Sequence, residues 1–350
     1  MIEDWIDARA ESRFRQQFNH FPILNKPSSI VRIAVVGAGG FGGYFGARLA
    51  KGGADVRFLA RGAHLAAMRA NGLAVEGGPE RICANPVIAS DNPVDLGVAD
   101  FVLLAVKLWD TEMVLDQIKP IVGPSTTLIS FQNGVLKDNA LRNAYGPAQI
   151  MGGVGYVATT IDRPGVIRQT GPMERLVFGE FDGRRSTRAE ALLHACLKGG
   201  INAELSTDIL REIWEKYVFL VGLSGTTTAM RSAIGPIREN RQTRAFLLDV
   251  MREVVAVGNA HGAELQADYA ERRLALADDV ATDMTSSMHH DLQRGRPLEI
   301  RWLSGGVVQL GSAVGIATPL NRAIADVLAL YEAGAPDTLE TRAMESSGAA

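Results

Sequence analysis

The apolar positions along the chain change their rhythm once, near residue 206. Before that point short β-branched runs alternate with amphipathic stretches. IVRIAVV, beginning at Ile30, is broken by a single arginine and ends in glycines, as a strand buried on both faces does. ADVRFLAR (54–61), ADFVLLAVK (99–107), TTLISFQNG (126–134) and PAQIMGGVGYVATT (147–160) read as further strands. AHLAAMRANG and TEMVLDQIKPIV read as helices between them. GVIRQTGPMERLVFGE (165–180) has the pattern of a hairpin, and RAEALLHACLKGG that of a closing helix. Strands alternating with helices predict a doubly wound, mostly parallel sheet, a Rossmann-type α/β domain.

After about Ser206 helical spacing takes over. It runs through DILREIWEKYVFL, RQTRAFLLDVMREVVAVGNAHG, the long ADYAERRLALADDVATDMTSSMHHDLQRG, LEIRWLSGGVVQLGSAVG and NRAIADVLALYEAG. This predicts an all-α C-terminal domain. The expected organisation is an N-terminal extension over 1–29, the α/β domain over 30–206, the helical domain over 207–338 and a small polar tail over 339–350. The extension reads as an amphipathic helix, an interface arm or a disordered segment.

Composition narrows the function classes. The 350 residues, 47% hydrophobic and 21% charged, are those of an ordinary globular protein with room for two cores. A net charge of −3 without a basic stripe argues against nucleic acid as a partner. No apolar run approaches the roughly 20 residues that span a bilayer, and the N-terminus lacks a secretory core, so a cytoplasmic protein is expected. Two cysteines, Cys83 and Cys196, make neither a disulfide framework nor a zinc site, and six histidines form no metal-ligand spacing. The neighbours His289 and His290 read as surface residues. The apolar surface of the helical domain suits a homodimer.

The most specific local signal follows the first strand. In GAGGFGGYFGARLAKGG the glycines Gly37, Gly39 and Gly42 satisfy GxGxxG. The first glycine permits a tight turn, the second lets backbone approach a pyrophosphate, and the third lets helix and strand pack closely. The loop Gly37-Ala38-Gly39-Gly40-Phe41-Gly42 is thus expected to cradle a dinucleotide at a helix N-terminus. An NAD enzyme usually ends the second strand in an acid that holds the ribose; here that strand ends in Arg61 with no adjacent acid. An arginine suits a 2′-phosphate, so NADP(H) is expected. Lys107 and Asn133 stand at two further strand ends, where ligands of such sheets lie. In IWEKYVFLVGLSG (213–225), Lys216 precedes a nearly uncharged run, as either a snorkelling helix lysine or one kept for chemistry.

The ordered set of GxGxxG, LLAVK, FQNG, GVIRQT…LVFGE, WEK, and SSM followed by LEIRWLSGGVVQLGSAVGIATP resembles the ketopantoate reductase family. Its members are NADPH-dependent 2-dehydropantoate 2-reductases, and the resemblance runs from about Ile33 to Leu330. It implies a cytoplasmic enzyme of pantothenate biosynthesis that passes hydride to a small 2-oxo acid in a cleft between domains. Lys216 is then the proton donor to the substrate carbonyl, and Glu299 contacts cofactor and substrate. Ser287 holds the substrate carboxylate, Asn133 lies between cofactor and substrate, Ala158 gives a backbone contact near the nicotinamide, and Lys107 lies beside the cofactor. A cationic acid at the carbonyl fits the chemistry, because hydride arriving at carbon builds negative charge on oxygen.

The chain departs from the family at the substrate. Ketopantoate-reducing members carry asparagines four and eight residues after the lysine; here these positions are Leu220 and Ser224. Spacing of i, i+4 and i+8 puts both on the Lys216 face, so Ser224 is expected at the substrate. A third asparagine is replaced by Ile234. Arg231 reads as a carboxylate anchor or as a surface residue. The chain is therefore expected to reduce 2-dehydropantoate or a related 2-oxo acid, a paralogue acting on a more apolar carbonyl being the alternative. A reading of another class is an NADPH-binding sensor without turnover.

Overall fold

A computed structural model describes residues 30–336. The expected extension 1–29 and tail 339–350 lie outside the described residues. Contacts gather the chain into two compact units, the first ending at Tyr217 and the second opening at Val218. The division falls inside a helix, Ile209–Met230, rather than before it. Its first turns belong to the sheet: Ile209 and Ile213 are buried with Val154 and Val177.

In the first unit β1 (Arg32–Val36) leads through helix α1 (Gly40–Lys51) to β2 (Asp55–Leu59), and α2 (Gly62–Asn71) follows. Three short strands come next, β3 (Leu73–Glu76), β4 (Ile82–Ala84) and β5 (Ile88–Ser90). The unit continues with β6 (Ala99–Leu104), α3 (Thr111–Gln117), β7 (Val122–Ser130), α4 (Lys137–Tyr145), β8 (Ile150–Arg163) and β9 (Val166–Gly179). Then come α5 (Thr187–Lys198), β10 (Ala203–Leu205) and the first turns of α6 (Ile209–Met230). The sheet order is β4-β3-β9-β8-β7-β6-β1-β2-β5, with β10 beside β9.

Strand β1 pairs in parallel with β2 on one side and β6 on the other, Val36 lying level with Leu59 and Leu104. The order of the chain reverses about β1, so the carboxyl edge there is the place where such a sheet leaves a ligand crevice. The expected hairpin exists as the antiparallel pair β8–β9. Ile33, Val35, Phe45, Phe58 and Ile129 are among the fully buried side chains of the main core.

In the second unit α6 is followed by α7 (Ile234–Glu239), α8 (Arg241–Ala260), α9 (Tyr269–Asp279), α10 (Ser287–Gln293), α11 (Ser304–Ala313) and α12 (Pro319–Leu328). Its described residues include no strand. The long helix expected from ADYAERRLALADDVATDMTSSMHHDLQRG is instead two, α9 and α10. The break has a local cause: the Thr282 and Met284 carbonyls accept from the backbone N–H groups of Gly235 and Ile234, each at 2.9 Å. The Ser286 hydroxyl then caps α10, accepting from His289 N at 3.1 Å. No described helix is long and apolar enough to cross a membrane.

Candidate active site

The glycine loop is built as its spacing predicts, and each glycine has its own cause. Gly37 adopts a φ of 97°, and a Cβ there would meet Val106 N at 2.8 Å. A Cβ on Gly42 would lie 2.1 Å from the Gly37 carbonyl oxygen, and one on Gly40 2.6 Å from that of Thr159. Gly39 differs, because a Cβ there would meet no described atom within 4 Å. Packing does not require glycine at 39, and its backbone is left open to the approach of a ligand. Helix α1 begins at the next residue with no side-chain cap and no acid in its first turn. Its unpaired N–H groups and positive dipole end suit a pyrophosphate, so the loop fits the dinucleotide.

Phe41 links this loop to the neighbouring strands. Its ring stacks on Phe131, 5.6 Å between centroids, and a Cβ on Gly155 would lie 2.4 Å from it. A side chain at 155 would thus displace the loop's own aromatic ring. Ala158, further along β8, accepts from the Thr170 hydroxyl through its carbonyl at 3.3 Å.

At the end of β2, Arg61 is exposed, and its guanidinium lies 3.4 Å from Asp110 Oδ2. The second strand carries no adjacent acid in sequence, but the fold supplies one from beyond β6. The exposed Lys107 places its ammonium 5.3 Å from the Trp109 ring centre.

Lys216 is half-buried on α6. Its ammonium donates to the Gly155 carbonyl at 2.7 Å and to Asn133 Oδ1 at 3.2 Å, and it lies 5.4 Å from the Tyr156 ring centre. It is a lysine held by fixed acceptors rather than one extended into solvent. The neighbouring Gln132 is itself anchored, its amide donating to Val106 O at 3.0 Å and to Thr111 Oγ1 at 2.8 Å. The fold therefore gathers Lys216 and Asn133 at one strand end.

Sequence reasoning missed Lys137 and Asp138, a pair of opposite charges with side chains 2% and 7% exposed. Burial pushes the Lys137 ammonium below the usual lysine range and the Asp138 carboxyl above the usual carboxylate range, each opposed by the other's charge. An adjacent Lys-Asp at a helix start carries no sequence signal of burial.

The second unit is described on its own. Ser286 and Ser287 divide their labour: Ser286 is buried, caps α10 and lies 3.1 Å from Thr227 Oγ1, while Ser287 is exposed. Glu299 is 6% exposed, in the turn before α11. Ser224 is fully buried, and among the described residues its hydroxyl finds no hydrogen-bond partner. Leu220 is half-buried, and Ile234 is a core residue.

Arg231 is exposed in a left-handed conformation, φ 49°, and donates to the Tyr331 hydroxyl at 2.9 Å. It lines a cavity of about 270 Å³ with His289, Leu292, Gln293 and Tyr331. The surface expectation for the histidine pair is corrected for one member. His289 is buried, its Nδ1 against the Thr285 hydroxyl, and only His290 is exposed.

Comparison with known proteins fits this geometry. The family profile "Ketopantoate reductase PanE/ApbA" matches residues 33–183, and its C-terminal counterpart matches residues 208–332. A 2-dehydropantoate 2-reductase of Mesorhizobium japonicum is 35% identical over 311 residues, 83% of this chain and 94% of its own length. The crystal structure of 2-dehydropantoate 2-reductase from Geobacter metallireducens superposes with a TM-score of 0.79 at 30% identity, over 85% of this chain and 99% of that one. D-mandelate dehydrogenase with NADH and anilino(oxo)acetate, 19% identical, has a TM-score of 0.78 over 86% of this chain and 98% of its own, and shares the fold. The chain belongs to the ketopantoate reductase family and is a nicotinamide-dependent oxidoreductase.

Proposed function

We propose that the chain uses NADPH to reduce the ketone of 2-dehydropantoate, or of a related small 2-oxo acid, to the 2-hydroxy acid. The observation that carries this is the Lys216 ammonium, tied to Asn133 and to the Gly155 carbonyl at the strand edge beside the glycine loop. Gly37–Gly42, Arg61, Lys107 and Ala158 would hold NADPH, Arg61 serving its 2′-phosphate, and the cofactor would supply hydride for C2. Lys216 delivers the proton to the carbonyl oxygen, so carbon and oxygen each gain one hydrogen. A positioned acid of this kind contributes on the order of 10²–10⁴-fold. Asn133 orients the ammonium; the family resemblance assigns the substrate carboxylate to Ser287 and the cofactor and substrate contact to Glu299.

Leu220 and Ser224 bear on the choice of acid. A site that hydrogen-bonds a substrate hydroxyl rejects the analogue lacking it by roughly 10⁴-fold, because its polar groups are left unpaired. Leucine at 220 offers no such partner, which favours an acid with an apolar group there. With 2-dehydropantoate itself the product is pantoate, a step of pantothenate biosynthesis.

The deciding comparison is kcat/KM for 2-dehydropantoate against 3,3-dimethyl-2-oxobutanoate, the same acid without its hydroxyl, within a panel of 2-oxo acids. The expected ratio is no more than about tenfold in favour of 2-dehydropantoate. A preference of about 10³ or more assigns hydroxyl recognition to another group. An absence of NADPH oxidation with every 2-oxo acid overturns the reading.

A further inference from the structure

Strands β7 and β8 run parallel, and their pairing stops early. Leu128 lies opposite Ile150 and Ile129 opposite Met151, and no later residues pair. Beyond that point β8 turns away with β9, and carbonyls on its free edge need donors of another kind. Residues two apart on a strand point their carbonyls to the same edge, so those of Gly153 and Gly155 share this one.

Two lysines serve it. Lys216 takes the Gly155 oxygen at 2.7 Å, and Lys137 takes that of Gly153 at 3.1 Å. Lys137 also donates to the carbonyl of Ser130, the last residue of β7, at 2.8 Å, and to Asp138 at 3.1 Å. Its ammonium thus bridges the two strands where their ladder ends. One strand leads within three residues to Asn133, and the other within two to Gly155; both are acceptors of Lys216.

A buried ion pair contributes little net stability, since desolvation cancels most of its attraction. Its value here lies in geometry. Resting on the reading of Lys216 as proton donor, we infer that Lys137 is a positioning residue. It fixes the separation of β7 and β8, and through it the two acceptors that aim the Lys216 ammonium.

The test replaces the pair by groups of similar size without charge, Lys137→Met with Asp138→Asn, in the full chain. A lone buried carboxylate is thereby avoided. The expected result is a kcat about tenfold lower, with the dissociation constant for NADPH changed by less than about threefold. The primary deuterium isotope effect on kcat with C4-deuterated NADPH should rise, because misaimed chemistry becomes rate-limiting. A general loss of folded protein would lower the apparent kcat but leave the isotope effect unchanged.

If the double variant does not fold, Lys137→Gln is read by the same criteria. A kcat within about twofold of the parent in a folded variant, or an unchanged isotope effect, overturns the inference. Lys216→Ala, assayed in parallel, separates the two claims. Turnover retained there overturns the donor role and this inference with it. Turnover abolished there, beside an unaffected Lys137 variant, overturns the positioning role alone.

Discussion

Lys216 Nζ lies 2.7 Å from the carbonyl oxygen of Gly155, so the lysine is aimed by backbone. A Cβ on Gly155 would lie 2.4 Å from the Phe41 ring of the nucleotide loop, so a side chain there would displace that ring. The strand that aims the lysine and the glycine loop are therefore in direct packing contact.

Replacing Lys216 by alanine should lower kcat by about 10² or more, as expected for loss of a general acid. NADPH affinity, read from quenching of protein fluorescence, should stay within about threefold. Undiminished turnover removes Lys216 from the mechanism.

Gly39 and Gly42 should fail differently. A Cβ on Gly42 would lie 2.1 Å from a carbonyl oxygen, whereas one on Gly39 meets no described atom within 4 Å. Gly42→Ala should lower the melting temperature. Gly39→Ala should keep it and weaken NADPH by about tenfold or more, since only the approach of the pyrophosphate is obstructed. Normal NADPH binding by Gly39→Ala would show that the open face is not where the phosphates lie.

Cofactor choice turns on Arg61 and Asp110, whose charged groups are 3.4 Å apart. Arg61→Ala should weaken NADPH far more than NADH, and equal losses would defeat the 2′-phosphate assignment. Asp110→Asn removes a carboxylate that competes for the guanidinium. Exposed pairs are worth about 0.2–1 kcal/mol, so NADPH should tighten by at most about fivefold with NADH unimproved.

Asp55 offers a test of stability against pH. Its carboxylate accepts from Arg57 Nη2 at 2.9 Å and from Arg32 Nε at 2.8 Å. The Arg57 bond, with Arg32 adding to it, holds the carboxyl below its usual range. A depressed folded value means that the contribution is complete above the unfolded value of about 3.9 and is lost as pH falls through the folded value. Asp55→Asn should cost about 1 kcal/mol at neutral pH, water screening keeping it small. The gap to the parent should close in acid, as followed by urea unfolding at several pH values. A gap that persists in acid would assign the cost to packing.

Legibility followed the range of the interactions. The strand–glycine–helix at Ile33–Gly46 was readable because a buried run, a left-handed Gly37 and a helix start are neighbours in sequence. Strands β3, β4, β5 and β10 were not. Each has only three or four residues and owes its conformation to the strand beside it, as Ala203–Leu205 does to Leu176–Phe178. Helical spacing ran on through Val280–Ser286, where the N–H groups of Ile234 and Gly235 claim the carbonyls instead.

By itself the sequence determined the α/β-then-α order, the dinucleotide loop, the family and the candidate donor lysine. These rest on local backbone preference, apolar period and motifs in a fixed order. Only the tertiary structure decided that Asp110 faces Arg61, that Ser286 caps while Ser287 is exposed, and that Lys137 and Lys216 share the free edge of β8. Each of these depends on where distant segments meet, and a charge or carbonyl carries no mark in sequence of the partner that folding brings to it.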